Sequence, residues 1–201
     1  LAALAGVRES FKYPESYYET NVDGTRLAID FAKGKLIPIL YASSSNAHEW
    51  WLNPYAATKK MCEVIGEGYS KATGMRFHTV YPGREDMLFK KLMNNKVTYI
   101  NDQHTRDFIH IEDLCYLISI LVKNVENPIM NFMDTLDLGT GKSVPVRSVA
   151  EAFDFKGEYV SENPQGERVD TMADMSWLTS LEIYNWKAKK DIIDVVLATR
   201  S

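Results

Sequence analysis

The chain has 201 residues, of which 45% are apolar, 25% charged and 11% aromatic. That composition suits one globular core or a large part of one, and it excludes fibrous, low-complexity and disordered classes. Lys and Arg number 23 against 27 Asp and Glu, and the net charge of −4 gives no global reason to bind nucleic acid or an anionic membrane.

Short apolar runs alternate with longer amphipathic stretches, the rhythm of βα units and a mainly parallel sheet. The first residues, Leu1 to Gly6, carry neither Met nor a signal-peptide pattern, and the opening reads as though its beginning were missing. Tyr17, Val22, Leu27, Ile29 and Phe31 recur at near-helical intervals and predict a helix from about Pro14 to Lys33, with Gly34 as the stop. Leu36 to Ser45 reads as a buried strand whose end turns polar, starting after Pro38 because proline cannot donate to a ladder. A second helix is predicted from Pro54, well placed at a first helical position, to Thr73, ended by Gly74. Met75 to Tyr81 follows as a strand closed by Pro82-Gly83. A helix from Ile111 to Val125 carries the apolar face Leu114, Leu117, Ile118, Leu121 and Val122. The apolar stretch Leu114 to Val122 is too short to span a bilayer. After about Asp137 the texture changes. Leu138-Gly-Thr-Gly-Lys142 is glycine-rich, Val144 to Phe153 reads as a helix with its start, and Glu158 to Val160 as a short strand, a pattern compatible with a smaller subdomain. The two cysteines, Cys62 and Cys115, form no metal-ligand spacing and no disulfide framework, which favours a reducing compartment.

The sharpest chemical constellation is Ser43-Ser44-Ser45 at a strand end followed by Tyr55-Ala-Ala-Thr-Lys59 on the first turns of a helix. An i, i+4 spacing puts phenol and ammonium on one helical face, where the positive charge favours the phenolate. A tyrosine titrates near pH ~10 and needs such help to act as a base at neutral pH. A strand-end hydroxyl on the same substrate oxygen completes a set suited to removing an alcohol proton while hydride leaves the same carbon. By itself the Tyr/Lys spacing carries little, because eleven tyrosines and the many lysines meet it by chance; the preceding serines and Pro54 supply the context.

With these stretches in hand, the chain resembles an extended short-chain dehydrogenase/reductase of the NAD-dependent epimerase/dehydratase family, especially its nucleotide-sugar 4-epimerases. The matching segments are Leu1 to Arg8, Asn21-Val-Asp-Gly-Thr25, Tyr41 to Ser45, Pro54 to Lys60, Arg76 to Tyr81, Arg106 to Asp113 and Leu138 to Lys142. They follow the family's order and cover nearly the whole chain. The resemblance implies an α/β fold, a partial Rossmann-like doubly wound parallel sheet with a small C-terminal α/β substrate-binding subdomain. Residues 1–137 would be the C-terminal half of the dinucleotide-binding domain, with some substrate-domain segments inserted, and residues 138–201 mainly the subdomain.

The resemblance also implies site roles. Tyr55 is the base, and Lys59 lowers its pKa while holding the nicotinamide ribose. Ser44, with Ser45 as fallback, bonds the reacting oxygen. Ala2, Ala3 and Leu4 match a loop that passes the cofactor, Asn21 an asparagine near its nicotinamide half, and His78 a residue close to the carboxamide. Thr79 and Arg106 face the sugar nucleotide. Plainer readings stand beside these: Asn21 cross-linking helix and loop, His78 as a satisfied core histidine, Arg106 in a local ion pair with Asp107. Gly139 and Gly141 look like a phosphate loop, but the family uses this turn to enter the C-terminal segment, so Lys142 is not read as a phosphate ligand.

The departures matter as much. The glycine-rich dinucleotide fingerprint and the acidic ribose reader are absent, which implies a subunit lacking roughly its first two βαβ units. His48-Glu-Trp-Trp51 occupies a loop where the family usually has Val-Tyr-Gly, and Tyr81-Pro-Gly-Arg84 is an abbreviated Tyr-Gly-Pro turn. Pro164-Gln-Gly-Glu167 lacks the arginine of an Arg-Pro-Gly-Asp-like diphosphate clamp, for which Arg168 could substitute. Asn46 stands where dehydratases carry acidic residues, so epimerisation with bound NAD is the leading expectation, NADP staying open. The alternatives are a heptose-nucleotide 6-epimerase or a sugar-nucleotide dehydratase, and, in another class, a truncated and silent homologue that serves binding or assembly. A nucleotide-sugar substrate, a cytoplasmic location, and, as the resemblance implies, a homodimer through the Tyr55 helix and the helix before the serine strand complete the expectations; Gly66 and Gly68 either permit close packing there or merely weaken the helix.

Overall fold

The computed structural model describes residues 3–132 and 135–200. Short helices α1 (Val7–Lys12) and α2 (Pro14–Tyr17) lead through a π-helical turn, Tyr18–Asp23, into α3 (Gly24–Lys35). The helix therefore runs past Gly34. Leu36 adopts φ 56°, and the bonds Leu36 N–H to Lys33 O and Ile37 N–H to Ala32 O form the paired closure of a Schellman turn.

Strand β1 (Ile39–Ser44) begins directly after Pro38, as the missing proline donor requires. Helix α4 (Pro54–Glu67) starts at Pro54 under an Asn53 cap, whose Oδ1 accepts the Ala56 N–H at 2.7 Å. It ends at Glu67, well before the expected Thr73, and Gly74 lies inside strand β2 (Ala72–Phe77). The reason is Tyr41, which pairs with Gly74 in the parallel β1–β2 register. A Cβ at Gly74 or at Gly66 of α4 would collide with its ring. The room that Gly66 offers is thus filled from within the same chain. The strand expected over Met75 to Tyr81 is split, because the His78 N–H turns to Leu138 O and β3 (Thr79–Tyr81) joins a different partner.

Helix α5 (Leu88–Met93), β4 (Tyr99–Asn101), β5 (Thr105–His110) and α6 (Ile111–Asn124) follow, then β6 (Thr135–Leu138), β7 (Ser143–Pro145), α7 (Val146–Ala152), β8 (Glu158–Val160), α8 (Trp177–Ser180) and α9 (Ile192–Arg200). Among the described residues three sheets result, ordered β1-β2-β6, β3-β5-β7 and β4-β8. Of these described pairings, β5–β7 is antiparallel and the others are parallel. Ile29 and Ala32 of α3 and Cys62 of α4 bury one face of β1 around Tyr41. On the other side Leu114, Leu117 and Leu121 of α6 pack on Met75, Leu136 and Leu138. Helices on both faces of a parallel sheet make the architecture doubly wound α/β. Strands β7 and β8, from beyond residue 138, pair with β5 and β4, so the segments on either side of that point share sheets.

The glycine turn after β6 has an internal occupant. The Asp107 carboxylate accepts from the Thr140 N–H (2.8 Å), the Thr140 hydroxyl (2.8 Å), the Gly141 N–H (2.9 Å) and the Ala173 N–H (3.1 Å). A carboxylate stands where a phosphate loop would hold its anion, and Asp107 is not the partner of Arg106. No helix among the described residues is long and apolar enough to cross a membrane.

Candidate active site

Strand alternation divides the three serines, all of which are buried. Ser43 faces α4 and donates to Glu63 Oε1 at 2.6 Å. The Ser44 hydroxyl accepts the Asn46 N–H at 3.2 Å and is the side-chain partner of the Tyr55 phenol. Ser45 offers its carbonyl to an Arg168 Nη at 2.7 Å. The sequence-expected pair Ser44 and Tyr55 is therefore brought together, and Arg168 reaches the same strand end.

Tyr55 stands half-buried on the first turn of α4, with its ring edge-on to Tyr17 at 6.1 Å. Burial raises its pKa above the ordinary phenol value, while the Ser44 hydroxyl and the Arg84 charge pull it down without reversing the shift. Lys59, one turn along, is buried and donates to Ala42 O at 3.1 Å. Burial lowers its pKa, with the Cys62 thiol opposing. The cation that acts on the phenol here is Arg84, a residue sequence reasoning passed over although it closes the Tyr81-Pro-Gly-Arg84 turn.

Asn21, in the π-helical turn, is fully buried. Its Oδ1 accepts the Leu4 N–H at 2.8 Å, and its Nδ2 donates to Leu4 O (3.0 Å) and Thr58 Oγ1 (3.1 Å). It is the cross-link of helix and loop, tying the exposed Ala3-Leu4 segment to the helix that carries Tyr55 and Lys59. Ala2 lies outside the described residues.

His78 follows β2 with its side chain sealed from solvent, and neither ring nitrogen has a hydrogen-bond partner. Its Nε2 lies 3.5 Å from Asp137 Oδ2, outside hydrogen-bond geometry, so it is not a satisfied core histidine. Asp137 is better served, accepting from His48 Nε2 at 3.0 Å and the Asp174 N–H at 3.0 Å. Burial alone would raise its carboxyl pKa, but His48, the nearby His78 and the Asp174 amide together hold it well below the usual range. Nothing in the sequence joined His48 to Asp137, since one lies in the 3-10 helical segment Ser45–Leu52 after β1 and the other in β6.

Thr79 opens β3 opposite Phe108. Arg106 sends one Nη to Thr105 O (2.7 Å) and Val169 O (2.9 Å), and the other to Arg168 O (2.8 Å) and His104 Nδ1 (3.2 Å). Its terminal donors are thus committed to the backbone behind Arg168, whose own Nε lies 3.4 Å from Glu49 Oε2. Chemically, the cluster sets a phenol, a hydroxyl and a lysine beside one strand end, with a guanidinium at its edge: a proton acceptor, an alignment donor and an anion partner.

The family description "NAD dependent epimerase/dehydratase family" matches residues 1–132. Protein CapI of Staphylococcus aureus is 35% identical over 156 residues, covering 64% of this chain and 47% of that protein. A UDP-glucuronate 4-epimerase of Thermodesulfobacterium geofontis is 31% identical over 226 residues, covering 96% of this chain and 67% of that protein. The chain spans about half the length of several curated relatives that it matches. Among solved structures, MoeE5 in complex with UDP-glucuronic acid and NAD superposes with a TM-score of 0.76 at 23% identity, over 98% of this chain and 75% of that one.

Proposed function

Since the chain belongs to the NAD dependent epimerase/dehydratase family, we propose that it is the nicotinamide- and sugar-facing part of a UDP-sugar 4-epimerase, with a UDP-hexuronate as substrate. The observation that carries this reading is the meeting of Ser44 and Tyr55 at the end of β1, with Lys59 one turn behind. The names of the relatives support the substrate class, because the Thermodesulfobacterium protein is a UDP-glucuronate 4-epimerase.

The residues present fit the nicotinamide end of NAD. The two buried ring nitrogens of His78 lack a hydrogen-bond partner, with the Asp137 carboxylate 3.5 Å from Nε2, and are open to a polar ligand. Tyr55, Lys59 and Ser44 supply the remaining polar groups, and Asn21 positions the Ala3-Leu4 segment beside them. No G-x-G-x-x-G turn for the diphosphate occurs in the chain. When bound, NAD would supply a hydride acceptor for the carbinol carbon and a hydride donor for the ketosugar.

The chain's own part in the cycle is proton management and orientation. Ser44 bonds the substrate oxygen and Tyr55 takes its proton, then gives it back when the carbonyl is reduced. For this the phenol must ionise below its present, burial-raised value. Lys59 serves by leaving Ala42 O for the nicotinamide ribose and the phenol edge, and Arg84 adds charge from the other side. Arg168 pairs with the substrate diphosphate while Arg106 and Thr79 hold the wall behind it. Exposed Leu27 and Phe31 on α3 and Met61 and Val64 on α4 support pairing of two copies through these helices. A cytoplasmic location accords with a nucleotide-sugar substrate.

The test is calorimetric titration with NAD and NADH, joined to proton NMR of UDP-glucuronate turnover. It is run on this chain alone and on the chain extended by a glycine-rich dinucleotide-binding segment. Tyr55→Phe should abolish turnover and leave cofactor affinity intact. Absence of cofactor binding in both forms rejects the reading, and turnover retained by Tyr55→Phe rejects this base.

A further inference from the structure

Apart from the Tyr55 cluster, a cleft of about 480 Å³ lies where two buried apolar clusters meet. Phe108 comes from one cluster and Leu178 and Trp186 from the other. None of Ser44, Tyr55, Lys59, Arg106 or Arg168 lines it. Its size falls within the range of ~300–1,000 Å³ typical of small-molecule pockets.

The charge around this cleft runs against that of the molecule. The chain carries a net −4, yet the lining holds Lys142, Lys187 and Lys190 against the single acid Asp191. Lys142 is engaged with Asp191 at 3.0 Å and Lys190 with Glu112 at 2.8 Å. Lys187 makes no hydrogen bond or ion pair among the described residues.

The walls are fixed in advance. Asp113 Oδ2 accepts the N–H groups of Lys189 (3.0 Å) and Lys190 (3.1 Å), and the Tyr81 hydroxyl donates to Lys190 O at 2.9 Å. Across the cleft Thr140 is held by Asp107. A ligand entering such a site orders little backbone, which preserves its binding energy.

We propose that this cleft is a second binding site, for a small planar aromatic anion. Its ring lies against Phe108, Leu178 and Trp186, and its charge meets Lys187. The site stands independently of the epimerase reading. An aryl carboxylate and an aryl phosphate share this chemistry, and the probes separate them.

The experiment is calorimetry with 2-naphthoate, 1-naphthyl phosphate and neutral 2-naphthamide, with the indole N–H resonances followed by NMR. The expected result is one-to-one binding of one or both anions, at least about tenfold tighter than the amide, a difference of about 1.4 kcal/mol. The tighter anion identifies the head group. The Trp186 indole should shift, and saturating UDP should leave the affinity unchanged. Lys187→Glu should weaken the anion about tenfold, and Thr179→Trp, at an exposed wall position, should block entry. Circular dichroism verifies that both variants fold. No anion binding at millimolar probe, equal binding of the amide, displacement by UDP, or wild-type affinity in Lys187→Glu each overturns the proposal.

Discussion

Replacing Glu63 by Gln tests the polar joint beneath the serine strand. Glu63 is fully buried on α4. Its Oε1 accepts from Ser43 (2.6 Å) and Arg76 Nε (2.7 Å), and its Oε2 from an Arg76 Nη (2.8 Å) and Lys60 Nζ (3.2 Å). Glutamine keeps the shape but turns an amide donor toward other donors, and it removes the countercharge of a guanidinium that is only 18% exposed. Removing one partner of a buried pair costs about 3–5 kcal/mol. Asp137 remains 3.8 Å from Arg76, which places the expected loss near the lower end, about 3 kcal/mol. For a chain of this size that lowers Tm by about 6–12 °C. Urea unfolding followed by circular dichroism measures it, and the double replacement of Glu63 and Arg76 by Leu should recover much of the loss. The sign with pH follows from the same contacts. Burial would raise the Glu63 carboxyl, but Arg76 and Ser43 overcome this and hold it below its ordinary value. Its stabilisation is therefore full above the unfolded-state pKa and is lost as pH falls through the lower folded value. The gap between wild type and Glu63→Gln should narrow in acid. A loss below about 1 kcal/mol at neutral pH, the size of an exposed ion pair, refutes this account of the joint.

Three further outcomes are expected. Gly66→Ala pushes a methyl group into Tyr41 and should destabilise by about 1–3 kcal/mol; unchanged urea midpoints would show that the ring moves aside freely. Asp107→Asn keeps one acceptor for the donors of Thr140, Gly141 and Ala173 and should cost about 1–3 kcal/mol, with hydrogen exchange faster at residues 140 and 141; unaltered exchange there would contradict it. Asp137 is held below the usual carboxyl range, so its contribution is complete above about pH 4, where an unfolded Asp titrates, and declines as pH falls toward the lower folded value. Parallel Tm-against-pH curves for wild type and Asp137→Asn would rule that out.

Elements whose signals are local were legible in the sequence. Pro38 and Pro54 marked the starts of β1 and α4, and the spacing in α6 found Leu114, Leu117 and Leu121 of its buried face but misplaced its edge, since Val122 is exposed and Ile120 is buried instead. The end of α4 was misread because Gly74 looks like a helix stop, whereas its role is to admit a ring from a strand more than thirty residues earlier. The serine and tyrosine pair was legible because both residues sit at element ends that the pattern defines. Arg84, Glu63 and Asp137 were not, since each acts through a partner set only by tertiary packing. Lys59 shows the limit of spacing arguments. Its position one turn from Tyr55 follows from helix geometry, but the carbonyl that its ammonium chooses does not.

The π-helical turn at Tyr18–Asp23 has a consequence for how this helix tolerates change. Each α-helical residue turns the chain by about 100°, and a wide turn inserts one extra step. The two halves of the helix are therefore out of phase. Tyr17 on the first half engages the carbonyls of Ala5 and Gly6, while Ile29 and Ala32 on the second face β1. Deleting a single residue between 18 and 23 would restore a regular helix and rotate one half against the other. Either the core would lose Ile29 and Ala32, or the N-terminal loop would lose its latch. Length is therefore constrained here as Asn21 is, and a one-residue deletion should do more harm than substitution of the exposed Tyr18, Glu19, Thr20 or Asp23 in the same turn.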